Sequence, residues 1–119
     1  MEAKAKRTLV KSAPELWELA DDLARMEAWM AGLLGARERV QVEVTDRDPE
    51  RILAWRCARH GREPRRPHAR IAIELAGSGF GTAVSITAQH TADPVAALHV
   101  LEQLLDELGS PERRPFSRA

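Results

Sequence analysis

The chain has 119 residues, of which 44% are hydrophobic and 30% charged, a balance typical of one soluble globular domain. Its 18 basic and 18 acidic side chains cancel, so no overall charge favours nucleic acid or an anionic membrane as a partner. The single cysteine, Cys57, excludes an internal disulfide. No signal peptide is evident, and no apolar run approaches the ~20 residues of a transmembrane helix. A cytoplasmic protein is expected.

The first third of the chain predicts a strand and two short helices. Residues 1–5 lack a pattern, and residues 6–12 are compatible with a short strand. A capping box, S-x-x-E, begins at Ser12, with a proline in the first helical turn. Apolar residues then recur at helical spacing, and the doublet Asp21–Asp22 predicts a break between two helices. The glycines of AGLLG are expected to end the second one.

The middle of the chain changes to a period of two residues, which predicts at least four strands. Apolar and polar residues alternate in RVQVEVT, ILAWRCAR, ARIAIEL and TAVSITAQH. DRDPE is expected to turn the chain, with Pro49 at the second position of the turn. GSGFG separates the last two strands, which predicts an antiparallel hairpin.

The clearest helix is predicted for Pro94–Leu108, after Asp93 as its N-cap. A sheet with one apolar face must be covered, and this is the segment long and amphipathic enough to cover it. The sequence therefore predicts an α+β domain over residues 1–110, with a curved antiparallel sheet around the C-terminal helix. Residues 111–119 are expected to form a flexible tail. The apolar face of the helix is predicted to comprise Ala97, Leu98, Leu101, Leu104, Leu105 and Leu108.

Four motifs, in this order, resemble the START-like superfamily, also called SRPBCC. They are the opening strand, the stretch SAPELWELADDLARMEAW, the strand DPERILAW, and the hairpin IELAGSGFGTAVSITAQH, and the terminal helix follows where that family has one. The resemblance spans roughly residues 6–108. It implies a helix-grip fold with a cavity between sheet and helix, in which family members such as polyketide cyclases and lipid carriers enclose an apolar or aromatic molecule. This chain is shorter than the usual members, so a smaller cavity, or one completed by a second subunit, is expected.

Within that fold, the apolar faces of the predicted elements converge on one set of candidate ligand-binding residues. Apolar walls with one or two polar groups are how small-molecule sites are usually built. His90 is the candidate polar and acid–base group, because by parity it shares the inner face of its strand. The alternative is that these side chains fill the interior. The predicted wall is Trp29, Trp55, Cys57, Ile73, Ile86, His90, Leu101 and Leu105.

These patterns predict binding of a small hydrophobic or aromatic molecule. If the domain is also an enzyme, the expected chemistry is a cyclase- or dehydratase-type reaction with His90 as the acid–base group. No metal or cofactor is expected, because no motif brings three or four ligands together. Nucleic acid is not expected either, because the arginine-rich residues 59–70 contain no aromatic side chain for stacking. The alternative function is a small module with a filled core that binds another protein or a second copy of itself as a homodimer.

Overall fold

A five-stranded antiparallel sheet and three helices make up the described chain, with strand order β1-β5-β4-β3-β2. The structure is a computed structural model, and the elements confirm the predicted α+β, helix-grip-like fold. The residues it describes are 2–35, 40–57, 69–79, 81–89 and 93–109. The elements are β1 (Glu2–Leu9), α1 (Ala13–Ala20), α2 (Leu23–Leu34), β2 (Val42–Asp48), β3 (Ile52–Cys57), β4 (Arg70–Ser78), β5 (Gly81–Gln89) and α3 (Pro94–Gly109).

The predicted alternation of the strands is confirmed, and it gives the sheet one buried face. The predicted hairpin is formed by β4 and β5, from Arg70 opposite Gln89 to Ser78 opposite Gly81. Successive residues of a strand point to opposite faces. The buried face therefore carries every second residue, and it is covered by the helices. Its fully or almost fully buried members in the three central strands include Leu53, Trp55, Ile71, Ile73, Val84 and Ile86.

The first strand starts earlier than its sequence pattern predicted. Residues 1–5 were expected to be irregular, but β1 covers Glu2–Leu9 and ends before Ser12. All of β1 pairs with β5, from Glu2 opposite Gln89 to Leu9 opposite Thr82, and Ala3 is buried in this ladder. Alanine favours strands only weakly, so pairing with a distant segment overrides the local preference.

The prediction of a turn over DRDPE was wrong for its first half. Strand β2 continues to Asp48, and its register against β3 shifts between Val44 and Asp46, which is a β-bulge. The turn itself is formed by residues 48–51, where the Arg51 N–H donates to the Asp48 carbonyl. Pro49 occupies its second position as predicted, and Glu50 follows with a φ of 66°, as in a type II turn.

The predicted helix boundaries are confirmed by their caps. Ser12 Oγ accepts from the Glu15 N–H at the start of α1. Asp21 ends α1, and Asp22 caps α2 by accepting from the Arg25 N–H. Of the two glycines expected to end α2, Gly32 lies inside the helix, which was wrong, because its neighbours continue the helical backbone. Gly35 ends the helix with the left-handed φ of 66° expected of a glycine cap.

The terminal helix α3 supplies the largest part of the helical cover over the sheet. The Asp93 carboxylate caps it by accepting from the Val95 and Ala96 N–H groups. Its predicted apolar face is confirmed except at Leu98, which is 38% exposed because it lies at the flank of the stripe. The buried residues of α3 are Ala97, Leu101, Leu104, Leu105 and Leu108. In the described part of the chain, no helix combines the length and apolar character needed to cross a membrane.

Candidate functional site

Four of the predicted wall residues lie at the centre of the interior, between the sheet and α3. Ile73 and Ile86 face each other across β4 and β5, and Leu101 and Leu105 project from α3. Each of the four side chains is at most 1% exposed. Because a void large enough for water would give these atoms accessible surface, this part of the interior is filled in the present conformation.

The two tryptophans of the predicted wall meet where α2 covers the sheet. Trp29 projects from α2 and Trp55 from β3, and their ring centroids lie 5.9 Å apart at an angle of 31°. This separation is within the range of favourable aromatic pairs. Trp29 is 7% exposed, whereas Trp55 is completely buried. Both residues were predicted to belong to the wall, and the fold brings their rings into contact from separate elements.

The indole N–H groups of the pair have different environments. Trp29 Nε1 donates a hydrogen bond to the carboxylate of Glu107 on α3, a contact that joins α2 to the end of α3. Trp55 Nε1 is buried, and none of the described residues accepts a hydrogen bond from it. A buried donor without a partner costs about 1–3 kcal/mol, so such a group calls for an explanation.

Glu107 was missing from the predicted site. In the sequence it lies beside the apolar stripe of α3 and looks like any solvent-facing helix residue. Only the packing of α2 against α3 brings the Trp29 indole to its carboxylate. No sequence signal distinguishes it from Glu102, which is exposed on the same helix.

Cys57 ends β3 on the same face as Trp55, and it is partly buried. Its backbone N–H donates to the Ala69 carbonyl across the strand pair. Desolvation by burial raises the pKa of the Cys57 thiol. The thiol is therefore held protonated to a higher pH than an exposed cysteine would be.

The alkylation of Cys57 by iodoacetamide is expected to need a higher pH in the folded protein than in the unfolded chain. The thiolate is the nucleophile, and a cysteine outside a folded structure has a pKa of about 8.5. Because the folded protein holds the thiol proton more tightly than the unfolded chain, the free energy of unfolding also depends on pH. The contribution of Cys57 is fully present below the pKa of the unfolded chain, and it is lost as pH rises through the pKa of the folded protein. Mass spectrometry of the alkylation rate against pH, with the urea-unfolded chain as control, measures this. Equal midpoints in both states would contradict it.

The histidines divide into those inside and those outside the described residues. His60, His68 and the candidate acid–base group His90 lie outside them, so the proposed role of His90 rests on its sequence position alone. His99 is exposed on α3, 3.5 Å from Gln103. Among the described residues, no group of three or more His, Cys, Asp or Glu side chains is placed to hold a metal ion.

An open groove of about 410 Å³ lies on the opposite face of the sheet. It shares no residue with the predicted wall, and an ion pair of 2.7 Å between Arg70 and Asp46 lies within it. Most of its lining side chains are charged, and its apolar ones are Ile52 and Ala72. A small-molecule site usually has a mainly apolar lining. The groove is lined by Asp46, Arg47, Asp48, Ile52, Arg70, Ala72 and Glu74.

Comparisons with known proteins identify the fold but not a family. No family model and no curated protein matches the sequence. Among solved structures, CalU16 from Micromonospora echinospora is 18% identical with a TM-score of 0.65, over 92% of this chain and 76% of that one. The Aha1 protein of Colwellia psychrerythraea, solved in solution as a dimer, is 15% identical with a TM-score of 0.64, over 92% and 96%.

A third similar structure is DynU16, a protein of the dynemicin biosynthetic locus. It is 17% identical with a TM-score of 0.58, and the match covers 98% of this chain and 47% of that one. At such identities the three likenesses show a shared fold, and the function has to be argued from this chain's own residues.

Proposed function

We propose that the chain is a shortened START-like (SRPBCC) domain that binds a small hydrophobic or aromatic molecule at the tryptophan pair. The fold and its likeness to structures such as DynU16 support this class of function. The observation that carries the proposal is the buried Trp55 Nε1, which has no acceptor among the described residues. A ligand with an acceptor atom would satisfy that donor.

The position of the proposed site follows from where the interior is filled. The centre, around Ile86 and Leu101, has no accessible surface, so the proposal places the ligand nearer to Trp55 and the partly buried Cys57. Trp29 covers Trp55 from α2, and it is held there by its hydrogen bond to Glu107. Entry of a ligand therefore requires Trp29 to move, and a binding event should change the fluorescence of the pair.

Replacing Trp55 with phenylalanine is expected to weaken the binding of aromatic ketones about fivefold. An aromatic ring is kept, although it is smaller than the indole, and the N–H donor is lost. A hydrogen bond of this type contributes about 1 kcal/mol. The measurement is a titration of tryptophan emission with a panel of bicyclic aromatic ketones. Trp17→Phe is the matched control, because Trp17 is a partly buried tryptophan of α1 outside the pair. If no compound in the panel changes the emission of the wild-type protein, the proposal fails.

A second candidate, a self-associating or protein-binding module, is favoured by one observation. Ile73, Ile86, Leu101 and Leu105 are packed without accessible space, as in a core that holds no ligand. The same titration separates the two candidates. An emission that no compound changes, together with a stable dimer in cross-linking, would favour the interaction module.

A further inference from the structure

We infer that Glu107 gives the tryptophan site a charge preference. The ligand accepts the hydrogen bond from Trp55 Nε1 with an uncharged group, such as a ketone, ester or amide carbonyl. Aromatic carboxylates bind more weakly than uncharged compounds with the same ring. This inference rests on the proposed function, because it concerns the molecule bound at the same site. It assigns a specificity role to a residue that does not belong to the apolar wall.

The geometry places a carboxylate close to the expected position of the ligand. Glu107 accepts directly from Trp29 Nε1, and the Trp29 ring lies 5.9 Å from the Trp55 ring. A group bound at Trp55 Nε1 would therefore lie on the order of 10 Å from the Glu107 charge, a distance at which two like charges still repel near a protein surface. Glu107 is exposed, so solvent and salt weaken this repulsion but do not abolish it at this distance.

Two described arginines that reach the helices are engaged with carboxylates other than Glu107, and Arg25 of α2 donates to the Leu19 carbonyl. Arg7 pairs with Asp106 at 2.5 Å, and Arg47 pairs with Asp21 at 3.0 Å. The donor of the site, Trp55 N–H, is neutral. An anionic ligand would thus be buried against one neutral donor, with the nearby negative charge of Glu107 adding repulsion, which is unfavourable. An uncharged carbonyl accepts the same hydrogen bond without that cost.

The test compares two probes with the same ring system, 2-acetylnaphthalene and 2-naphthoate, by isothermal titration calorimetry at pH 7. The wild-type protein is expected to bind the ketone at least fivefold more tightly than the carboxylate. Glu107→Gln keeps an oxygen that can accept from Trp29 and removes the charge. In this variant we expect the ratio of ketone affinity to carboxylate affinity to fall about fivefold from its wild-type value. The ratio cancels the effect on both probes of the weaker hydrogen bond between Trp29 and the amide.

Glu102→Gln is the matched control, because it makes the same charge change at an exposed position of α3. The ratio of the two affinities should stay at its wild-type value in this variant. Equal binding of both probes by the wild-type protein, or equal ratios in the two variants, would overturn the charge preference and leave the proposed function standing. Absence of binding by both probes would remove the proposed function and this inference together.

Discussion

Replacing Gly81 with alanine is expected to destabilise the protein by about 3 kcal/mol or more. A Cβ at this position would lie 2.0 Å from the Leu9 carbonyl oxygen and 3.1 Å from the Val10 Cα. Both are backbone atoms, so no side-chain rotation can relieve the overlap. The end of β1 would have to move away from β5, where Leu9 now lies opposite Thr82. Urea unfolding followed by tryptophan fluorescence measures the loss.

Gly77→Ala is the matched control for this substitution. Gly77 belongs to the same hairpin and pairs with Thr82, but a Cβ there would have no heavy atom within 4 Å. The change in the unfolded chain is the same in both variants, so the difference between them reports the steric overlap. Similar free energies of unfolding for the two variants would contradict the close approach of β1 and β5.

The second large effect is expected for Leu101→Ala, which should lower the free energy of unfolding by about 3 kcal/mol. Leu101 has no accessible surface and belongs to the core cluster between α3 and the sheet. Truncation removes buried methyl groups and leaves a cavity that the surrounding strands can close only in part. The measurement is again urea unfolding.

Leu98→Ala makes the same chemical change three positions earlier on α3, where the leucine is 38% exposed. Its cost should be below about 1 kcal/mol, since little apolar surface is removed from the interior. Equal costs for the two variants would mean that the helix does not bury the stripe that contains Leu101.

The helices and the buried face of the sheet could be predicted because their signals are local. The capping box at Ser12, the break at Asp21–Asp22 and the start of α3 at Asp93 each depend on residues within one helical turn. The inner face of β4 and β5 follows from a two-residue period, which needs no knowledge of the partner strand.

The remainder of the fold depended on contacts between distant segments. The start of β1 at Glu2 is determined by its pairing with β5, and the bulge near Val44 by the register of β2 against β3. Neither has a turn residue or a periodicity to mark it.

The members of the candidate site could be predicted in part, but the contacts between them could not. Trp29 and Trp55 could be named as wall residues from their predicted elements, but their ring contact was not predicted. The role of Glu107, the isolation of Trp55 Nε1 and the filled space around Leu101 depend on how α2 and α3 pack together. That packing is a property of three-dimensional fit, which a single sequence does not display.

The pairing of the first strand with the last one also constrains the order of folding. Glu2 lies opposite Gln89 and Leu9 opposite Thr82, so β1 has no partner in the sheet until β5 has been synthesised. Contacts between segments this far apart close a long loop, which slows folding. On the ribosome, the hairpin of β4 and β5 must therefore emerge before β1 can join the sheet. Until then, β1 has no partner strand, and its unpaired edges are open to pairing with other strands.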